Sequence, residues 1–292
     1  RLEGTLILPT AVDSFPTIVW VHGSGAIGRG SQSYVREAYT LAQFGVGSFV
    51  YDKRGVGDSE GAWRDARFTT LAADLAHVRA RLRDVEEIDQ SKVGVGGISQ
   101  GPSWIVPLAL QAGVDFRFVI ALSAAAVSPS EQHRYVIRRR LESVGFGETE
   151  VRGALDLHAR LDRFRESGEG RGELEADLAV ASGEAWFGDA LLPFPTVSEL
   201  SANEKSWWTL DPIPLWEACD VPVLAIWGAR DDIVDPIESR AVFSEVLGDR
   251  VTPLVLEGAD HLLHIGVPQG PEPVAPGLHP AILAWLGSLD GQ

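Results

Sequence analysis

The sequence is poor in cysteine, since its 292 residues contain a single one, Cys219. One thiol cannot form a disulfide within the chain, and metal sites built from several thiolates are excluded as well. Cys219 precedes the apolar run Val221 to Trp227, a position typical of a packed core residue. The lack of disulfides favours a cytoplasmic protein, which we expect here, without excluding export.

Long apolar runs and basic residues are also scarce. No run approaches the roughly 18 apolar residues that a transmembrane helix needs, and no signal peptide is evident. Lys and Arg number 25 against 41 Asp and Glu, which gives a net charge of −16. Such a surface repels phosphate backbones and anionic lipid, so we expect no membrane span and no nucleic-acid partner. Composition leaves the oligomeric state open, with a homodimer as one alternative.

Hydrophobic residues make up 45% of the chain, enough to bury a large core. Short apolar runs typical of strands buried on both faces recur along the sequence. They predict strands at Leu2–Leu8, Thr17–Val21, Gly47–Tyr51, Lys92–Ile98, Phe116–Leu122, Val221–Trp227 and Val251–Leu256. Helical patterns lie between them, at Phe68–Leu82, Pro102–Gln111, Pro236–Leu247 and Pro280–Leu289. This alternation predicts an α/β fold with a mainly parallel sheet flanked by helices.

The strand pattern is interrupted between residues 128 and 215 by charged, helix-periodic sequence. Helices are predicted there at Glu131–Ser143, Glu148–Glu166 and Gly172–Phe187, and an extended return at Leu191–Pro195 and Pro212–Pro214. We interpret residues 128–215 as a helical cap insert, and residues 1–127 with 216–292 as the α/β core. Loops at the carboxyl ends of the strands surround the site in such folds, so we expect the cap to cover it.

The sharpest motif is Gly97-Ile98-Ser99-Gln100-Gly101. It joins an apolar strand to a helical run, which is the context of a nucleophile elbow, where flanking glycines permit a turn too tight for side chains. The turn raises the Ser99 hydroxyl above the sheet. We therefore interpret Ser99 as a catalytic nucleophile; the alternative is a glycine-rich turn whose serine caps the helix.

A serine hydroxyl becomes nucleophilic when a base accepts its proton, and a histidine base needs a carboxylate to orient it. In this type of site the acid and then the histidine follow the serine in the sequence. His261 lies in a glycine-containing loop directly after a predicted strand and is the expected base, with His264 as the alternative. Asp231 is the first acid after another predicted strand and is favoured over its neighbour Asp232.

A tetrahedral intermediate needs backbone N–H donors at its oxyanion. Gln100 supplies one as the residue after the nucleophile, and we expect Ser24 to supply the other from the loop His22-Gly23-Ser24-Gly25. His22 is interpreted as a structural residue of that loop. The glycines at 23, 25 and 28, with Asp52 beyond the next strand, also fit a dinucleotide-binding loop. The dinucleotide interpretation accounts for the motif of one loop, whereas a catalytic triad accounts for the motifs of several loops.

Together these residues resemble the α/β-hydrolase superfamily, and within it the bacterial esterase branch with serine aminopeptidase-like and dipeptidyl-aminopeptidase-like members. The family's Gly-x-x-Asp pattern falls on Gly228 and Asp231, and its Gly-x-x-His pattern on Gly258 and His261. Pro102 departs from the family, in which a small residue is commoner. The matching stretches cover nearly the whole core but not the insert: Leu2–Pro9, Val21–Gly25, Tyr51–Ser59, Val95–Gly101, Val221–Pro236 and Glu257–Leu262.

The resemblance implies an α/β-hydrolase fold and acyl transfer to water, with Ser99, His261 and Asp231 as the triad. We expect a small-molecule carboxylic ester as substrate, cleaved through an acyl-enzyme without a metal or organic cofactor. A peptidase or amidase, thioesterase, lactonase or C–C hydrolase uses the same triad, and a non-catalytic binding protein is the alternative of a different class. Trp207 and Trp208 are candidates for an apolar substrate pocket, unless they simply pack in the core.

Overall fold

A seven-stranded sheet forms the centre of the computed structural model, which describes residues 1–10, 14–64, 66–190, 207–266 and 273–289. Its order is β1-β3-β2-β4-β5-β6-β7. β1 runs antiparallel to β3, and the other neighbouring pairs are parallel, so the carboxyl ends of β2 to β7 share one edge. The strands are β1 (Gly4–Ile7), β2 (Thr17–Val21), β3 (Gly47–Tyr51), β4 (Val93–Ile98), β5 (Val119–Leu122), β6 (Val223–Gly228) and β7 (Val251–Leu256).

The predicted mainly parallel sheet is thereby confirmed. β2, β4, β5 and β6 are buried along their whole length, which explains their continuous apolar sequence. β1 lies at the edge and exposes its first residues, as its alternating pattern indicated. The predicted bounds of β2, β3 and β7 agree with the structure, whereas the other strands are shorter or shifted at their ends.

Helices lie between these strands and after the last one along the chain. They are α1 (Gln32–Ala42), α2 (Phe68–Leu82), α3 (Val106–Gln111), α4 (Pro129–Ser143), α5 (Glu148–Ser167), α6 (Arg171–Ala181), α7 (Ile213–Glu217), α8 (Pro236–Leu247) and α9 (Leu278–Leu289). The start of the predicted helix Pro102–Gln111 is a π-helical turn, Gly101–Ile105, that continues into α3. None of the helices in the described ranges is long and apolar enough to span a bilayer.

Two predictions about the insert and its return were wrong. The segment Pro212–Pro214 is not extended, because Pro212 has helical backbone angles and α7 follows it directly. Proline is compatible with the first helical turn, where its missing N–H would be unpaired anyway. The third predicted helix of the insert ends at Ala181 rather than at Phe187. The predicted extended stretch Leu191–Pro195 lies outside the described residues.

The chain divides into two compact units. The sheet unit comprises residues 1–126, 212–231 and 236–292. Its main core packs α1 and α9 against the sheet; for example, the ring of Trp285 meets that of Phe118 edge to face, with centroids 6.0 Å apart. Each large side chain buried in this way contributes roughly 1.5–3 kcal/mol to folding.

The helical unit comprises residues 127–211, as far as the structure describes them, and 232–235. α4, α5 and α6 enclose a separate apolar core that includes Leu141, Leu161 and Phe164. α4 begins with a capping box, in which the Ser128 hydroxyl accepts from the N–H of Glu131 and the Glu131 carboxylate accepts from the N–H of Ser128. The placement of the insert over the site stays a prediction from the sequence.

Candidate active site

Ser99 lies in the sharp turn between β4 and the π-helical turn, and its backbone is in the left-handed region with φ of 61°. This conformation costs a non-glycine residue about 1–3 kcal/mol and persists only where the surroundings enforce it. One restraint is the Ser99 N–H, which donates to the carbonyl of Leu122 at the end of β5 (2.9 Å). The residue is half-buried, so that its side chain retains access to solvent.

The two glycines of the elbow are required by the close approach of β2. A Cβ atom on Gly97 would lie 2.6 Å from the carbonyl oxygen of Val21, and one on Gly101 would lie 2.8 Å from the same oxygen. Both distances are below any normal contact, and the obstacle is backbone that has no freedom to rotate away. The spacing of glycines around Ser99 therefore follows from packing against the neighbouring strand.

Ser103 braces the elbow from below and was not singled out in the sequence. Its buried hydroxyl donates to the carbonyl of Ser99 (2.7 Å) and accepts from the N–H of Ala125 (2.8 Å). One side chain thus joins the turn after β4 to the segment after β5. A serine one helical turn after the nucleophile is the only sequence signal for this role, and serine is too common for that signal to be specific.

His261 and Asp231 form a direct pair after β7 and β6. His261 Nδ1 lies 2.8 Å from Asp231 Oδ2 and 3.0 Å from Oδ1, and the carboxylate is completely buried. The two loops are held together by the Arg230 N–H, which donates to the carbonyl of Ala259 (2.8 Å). They also approach closely at Gly228, where a Cβ atom would lie 2.3 Å from the carbonyl oxygen of Asp260. The structure therefore brings together the predicted base and the favoured acid.

The alternative residues for these roles are placed differently. Asp232 is exposed and falls in the helical unit, next to Ile233, whose carbonyl accepts a bond from Gln132 (2.7 Å). The Nε2 atom of His264 is bonded to the Arg36 guanidinium (2.7 Å), so this histidine accepts from a permanent cation. A ring held in that way has no free nitrogen at Nε2 to take a proton from serine.

The loop after β2, which holds the predicted oxyanion donor Ser24, lies against the elbow. The position of a Cβ atom on Gly23 would be 3.8 Å from Ser99 Cβ and 3.2 Å from the carbonyl oxygen of Ile98. Ser24 is exposed and Gln100 is half-buried. Their backbone N–H groups thus belong to the two segments that meet at Ser99.

His22 anchors the beginning of this loop, as the sequence suggested. Its ring is buried and bonds through Nε2 to the carbonyl of Tyr51 (2.5 Å). Burial lowers the pKa of His22 to about 4, so the ring is neutral at physiological pH and donates through Nε2. Because its N–H is bonded to a backbone carbonyl, His22 has a structural role in this loop.

Two further residues that support the loop were missed in the sequence. The Tyr34 hydroxyl accepts from the N–H of Gly23 (2.9 Å) and donates to the carbonyl of Val21 (3.1 Å). The Lys53 ammonium donates to the carbonyls of Gly23 (2.6 Å) and Gly25 (2.8 Å). Lys53 closely follows the predicted strand Gly47–Tyr51, which is the only sequence signal for it, whereas Tyr34 lies in α1, which was not predicted.

The dinucleotide interpretation of the same loop is not supported by the surroundings of Asp52. Its buried carboxylate accepts from the N–H groups of Arg29 (2.6 Å) and Asp58 (3.0 Å) and forms an ion pair with the Arg29 guanidinium. A ribose hydroxyl would have to displace these partners. In the described ranges, no three His, Cys, Asp or Glu side chains are arranged to hold a metal ion either.

Trp208, a predicted pocket residue, is buried inside the helical unit. Its indole N–H donates to Asp162 Oδ1 (2.5 Å), and the Arg165 guanidinium lies 4.1 Å from its ring centroid. The fully buried ring of His158 lies 6.1 Å away, and burial lowers the pKa of His158 to about 4. Trp207 is half-buried and meets Trp208 edge to face at 5.3 Å. Trp208 therefore has a packing role, and its part in a pocket stays a prediction.

Comparison with known proteins gives a consistent result. A sequence profile of the alpha/beta hydrolase fold matches residues 16–267. A thermophilic esterase from Thermogutta terrifontis has a similar structure, with 18% identity, a TM-score of 0.58, and coverage of 98% of this chain and 93% of the esterase. Sequence comparison with curated proteins finds no match.

Two further structures are similar over almost their whole length. Proline iminopeptidase from Mycobacterium smegmatis is 18% identical with a TM-score of 0.61, over 100% of this chain and 96% of the peptidase. A monoacylglycerol lipase from Paleococcus ferrophilus is 20% identical with a TM-score of 0.57, over 99% of both chains. At these identities the likeness extends to the fold alone.

Proposed function

Since the chain belongs to the alpha/beta hydrolase fold family, we propose that it is a serine hydrolase that cleaves carboxylic esters through an acyl-enzyme. The observation that carries this proposal is the pair of His261 and buried Asp231, on the sheet edge at which the strained Ser99 turn also stands. A histidine bonded to a buried carboxylate through Nδ1 has Nε2 left as a proton acceptor. This is the base that a serine nucleophile requires.

The reaction proceeds in two halves. Ser99 Oγ attacks the carbonyl carbon of the ester while His261 Nε2 takes the hydroxyl proton, and the carbonyl oxygen becomes an oxyanion held by the N–H groups of Ser24 and Gln100. When the intermediate collapses, the C–O bond to the alcohol breaks and His261 returns its proton to the leaving oxygen. Water then attacks the acyl-Ser99 ester by the same route and releases the carboxylic acid.

Asp231 keeps the histidine productive throughout. Its carboxylate accepts the Nδ1–H of His261, which fixes the tautomer that presents a free Nε2. The negative charge also stabilises the imidazolium that forms in each half-reaction. Burial of Asp231 strengthens this effect, because charges interact more strongly where water is excluded.

The chemistry of the triad does not by itself distinguish an ester from other acyl substrates. The similar structures include an esterase, a monoacylglycerol lipase and a proline iminopeptidase. Two of these three proteins act on esters. We propose an ester with a modest acyl group as the substrate, because a small ester, unlike a peptide, requires no binding site for an amino terminus or a peptide chain. Amides, thioesters and lactones are the alternatives that a substrate panel separates.

The first experiment is labelling with a fluorophosphonate, which reacts only with an activated serine. We expect the wild type to be labelled at Ser99, and Ser99→Ala to be unlabelled and to lose on the order of 10⁶ in kcat. Ser244→Ala is a matched control, because Ser244 is exposed on α8 and its hydroxyl bonds only its own helix, at Arg240. Ester turnover by folded Ser99→Ala within about tenfold of wild type would contradict the assignment.

The second experiment compares kcat/KM for an ester, an amide, a thioester and a lactone that share one acyl group. The proposal expects the ester to be turned over fastest. If the amide of a free N-terminal amino acid is preferred instead, the chain is a peptidase, and the triad assignment survives while the substrate assignment does not. Turnover of none of the four by a protein that fluorophosphonate does not label would favour a non-catalytic role.

A further inference from the structure

Lys53 is a buried lysine beside the loop that we assign to the oxyanion. It follows β3 closely, and only 3% of its surface is exposed. Its Nζ atom donates to the carbonyl oxygens of Gly23 (2.6 Å) and Gly25 (2.8 Å), which flank Ser24 on both sides. Moving an ammonium out of water is costly, so a lysine that is buried against two backbone carbonyls is expected to have a specific role.

The geometry of the peptide group indicates what the role of Lys53 is. The Gly23 carbonyl and the Ser24 N–H belong to one planar, trans peptide unit and therefore point in opposite directions. An ammonium that binds the Gly23 oxygen thus directs the Ser24 N–H away from Lys53. Gly25, at a φ of 89°, turns its own carbonyl back toward the same nitrogen. One side chain therefore binds the Gly23–Ser24 peptide unit and the Gly25–Ala26 peptide unit, which lie on either side of the unit that joins Ser24 to Gly25.

Tyr34 restrains the same loop through the preceding peptide unit. Its hydroxyl accepts the Gly23 N–H and donates to the Val21 carbonyl at the end of β2. The Val21 oxygen is also the atom that excludes side chains from Gly97 and Gly101 of the elbow. The positions of the loop and of the elbow therefore both depend on one atom, the Val21 carbonyl oxygen at the carboxyl end of β2.

The charges around Lys53 leave its ammonium positive at neutral pH. Burial lowers the pKa of Lys53 to about 8, and burial keeps the neighbouring His22 neutral with a pKa of about 4. Burial also raises the pKa values of the phenols of Tyr34 and Tyr51, so both remain neutral. The Asp52 carboxylate is bound by Arg29 and by the N–H of Asp58. Within the described residues, Lys53 therefore forms no ion pair that would cancel its charge.

We propose that Lys53 is a positioning residue of the oxyanion hole, which orients the Ser24 N–H and adds a fixed positive charge beneath the developing oxyanion. The inference rests on the proposed function for its catalytic part. Preorganised donors and charges stabilise a developing oxyanion because they need no reorganisation during the reaction. Lys53 acts through the loop and does not touch the substrate.

The test compares Lys53→Met with Arg54→Gln. Arg54 is the next residue, and its guanidinium pairs with Asp74 (2.6 Å) rather than with the loop, so it is a matched control. Loss of one oxyanion donor typically costs 10²–10³ in kcat, and a misdirected donor should cost about 10- to 100-fold. We expect Lys53→Met to lose this factor in kcat with KM within about threefold, and Arg54→Gln to keep kcat. A folded Lys53→Met with wild-type kcat would overturn the proposal.

The wild type provides a second readout that does not depend on a variant. Ester hydrolysis should fall above about pH 8, because Lys53 then loses its charge and charge-assisted hydrogen bonds are roughly twice as strong as neutral ones. Lys53→Met should lack this alkaline limb. A wild-type kcat that stays constant from about pH 7.5 to 9.5 would count against the charge effect.

Hydrogen exchange separates this inference from the proposed function. The peptide that spans His22 to Gly30 should exchange at least about tenfold faster in Lys53→Met than in the wild type, whether or not the protein hydrolyses esters. Unchanged exchange would overturn the positioning role even in an active enzyme. If fluorophosphonate fails to label the wild type while exchange still depends on Lys53, the proposed function is wrong and the loop anchor is retained.

Discussion

The carboxylate of Asp231 is fully buried and lies 2.8 Å from Nδ1 of His261, whereas Asp232, one residue later, is exposed. The backbone explains the difference. The Asp231 N–H donates to the carbonyl of Gly228 (3.2 Å), which forms a tight turn directly after β6 and directs the first aspartate inward. Two adjacent and chemically identical residues thus have different surroundings.

We expect Asp231→Asn to reduce kcat by roughly 10⁴, because an amide N–H at this position favours the tautomer with the proton on Nε2 of His261. Asp232→Asn is the matched control and should stay within about twofold of wild type, since its side chain is exposed. Steady-state ester kinetics on both folded variants measures this. An inactive Asp232→Asn beside an active Asp231→Asn would mean that the acid has been assigned to the wrong neighbour.

A second prediction concerns Gly101→Ala in the elbow. The new methyl group would lie 2.8 Å from the Val21 carbonyl oxygen and 3.0 Å from that of His22, so β2 or the elbow has to shift. We expect a loss of at least 1–3 kcal/mol in the free energy of unfolding, as for other overpacked sites. The activity should fall as well, because the same shift displaces Ser99 from the loop after β2.

Gly287→Ala is the control for this experiment. Gly287 is an exposed residue of α9, and a Cβ atom there meets nothing within 4 Å. Alanine in a helix is favoured over glycine by about 1 kcal/mol, so this variant should be slightly more stable and equally active. Urea unfolding gives both values, and equal stability of the two variants would show that the elbow has more space than the structure indicates.

The parts of this architecture that the sequence predicted have local signals. β4 was recognisable because a strand that is buried on both faces has to be apolar throughout. The elbow was recognisable because Gly97 and Gly101 have no room for a side chain next to the Val21 carbonyl. Asp231 and His261 lie in the loops after predicted strands, so strand prediction led to these loops, although it left Asp232 and His264 as alternatives. In these cases the residue types within a few positions carry the information.

The missed elements lack a cap signal or depend on contacts between distant parts of the chain. α1 has no side-chain cap at Ser31 and no acidic residue in its first turn, and it is stabilised by the burial of Tyr34, Ala38 and Leu41. These three residues are four and three positions apart, which is helical spacing, so periodicity alone could have indicated α1. Lys53, after β3, binds the carbonyl of Gly23, after the neighbouring strand β2, and no periodicity marks a lysine whose partners are backbone carbonyls. Such roles follow from the fold and appear only when the fold is known.

A third prediction uses the buried neutral His22. Its pKa is about 4 in the folded protein and near 6.5 when unfolded, so between these values the unfolded chain binds the extra proton. The stabilising contribution is therefore fully present above about pH 6.5 and is lost as the pH falls toward 4, by up to about 3 kcal/mol. His22→Gln removes this titration and should show a shallower decline of unfolding free energy with falling pH.

His77→Gln is the control for the substitution itself. His77 is exposed on α2 and bonds the carbonyl of Ala73 in its own helix (2.7 Å). Its replacement should change the unfolding free energy at neutral pH by no more than about 0.5 kcal/mol. Denaturant unfolding at intervals between about pH 4 and 7 gives the slopes, and equal slopes for the wild type and His22→Gln would argue that the buried ring is not the group that resists protonation.

The last prediction concerns Trp207 and Trp208, which the sequence suggested as pocket residues. Their environments differ: Trp208 is 6% exposed, donates to Asp162 and lies under the Arg165 guanidinium, whereas Trp207 is half-buried. Trp208→Ala removes a large packed ring and leaves Asp162 without one of its donors. We expect it to lower stability by about 3–5 kcal/mol, as for other buried tryptophans.

Trp207→Ala should cost much less stability, and a change in acyl-length preference is expected at this residue if either tryptophan lines the pocket. Measuring kcat/KM over a series of ester chain lengths, together with the melting temperature, decides between the two roles. A shifted length preference in Trp207→Ala with a nearly unchanged melting temperature supports a pocket residue. If both variants keep the wild-type preference and only Trp208→Ala melts early, the pair serves the packing of the helical unit, and specificity has to come from other residues of the chain.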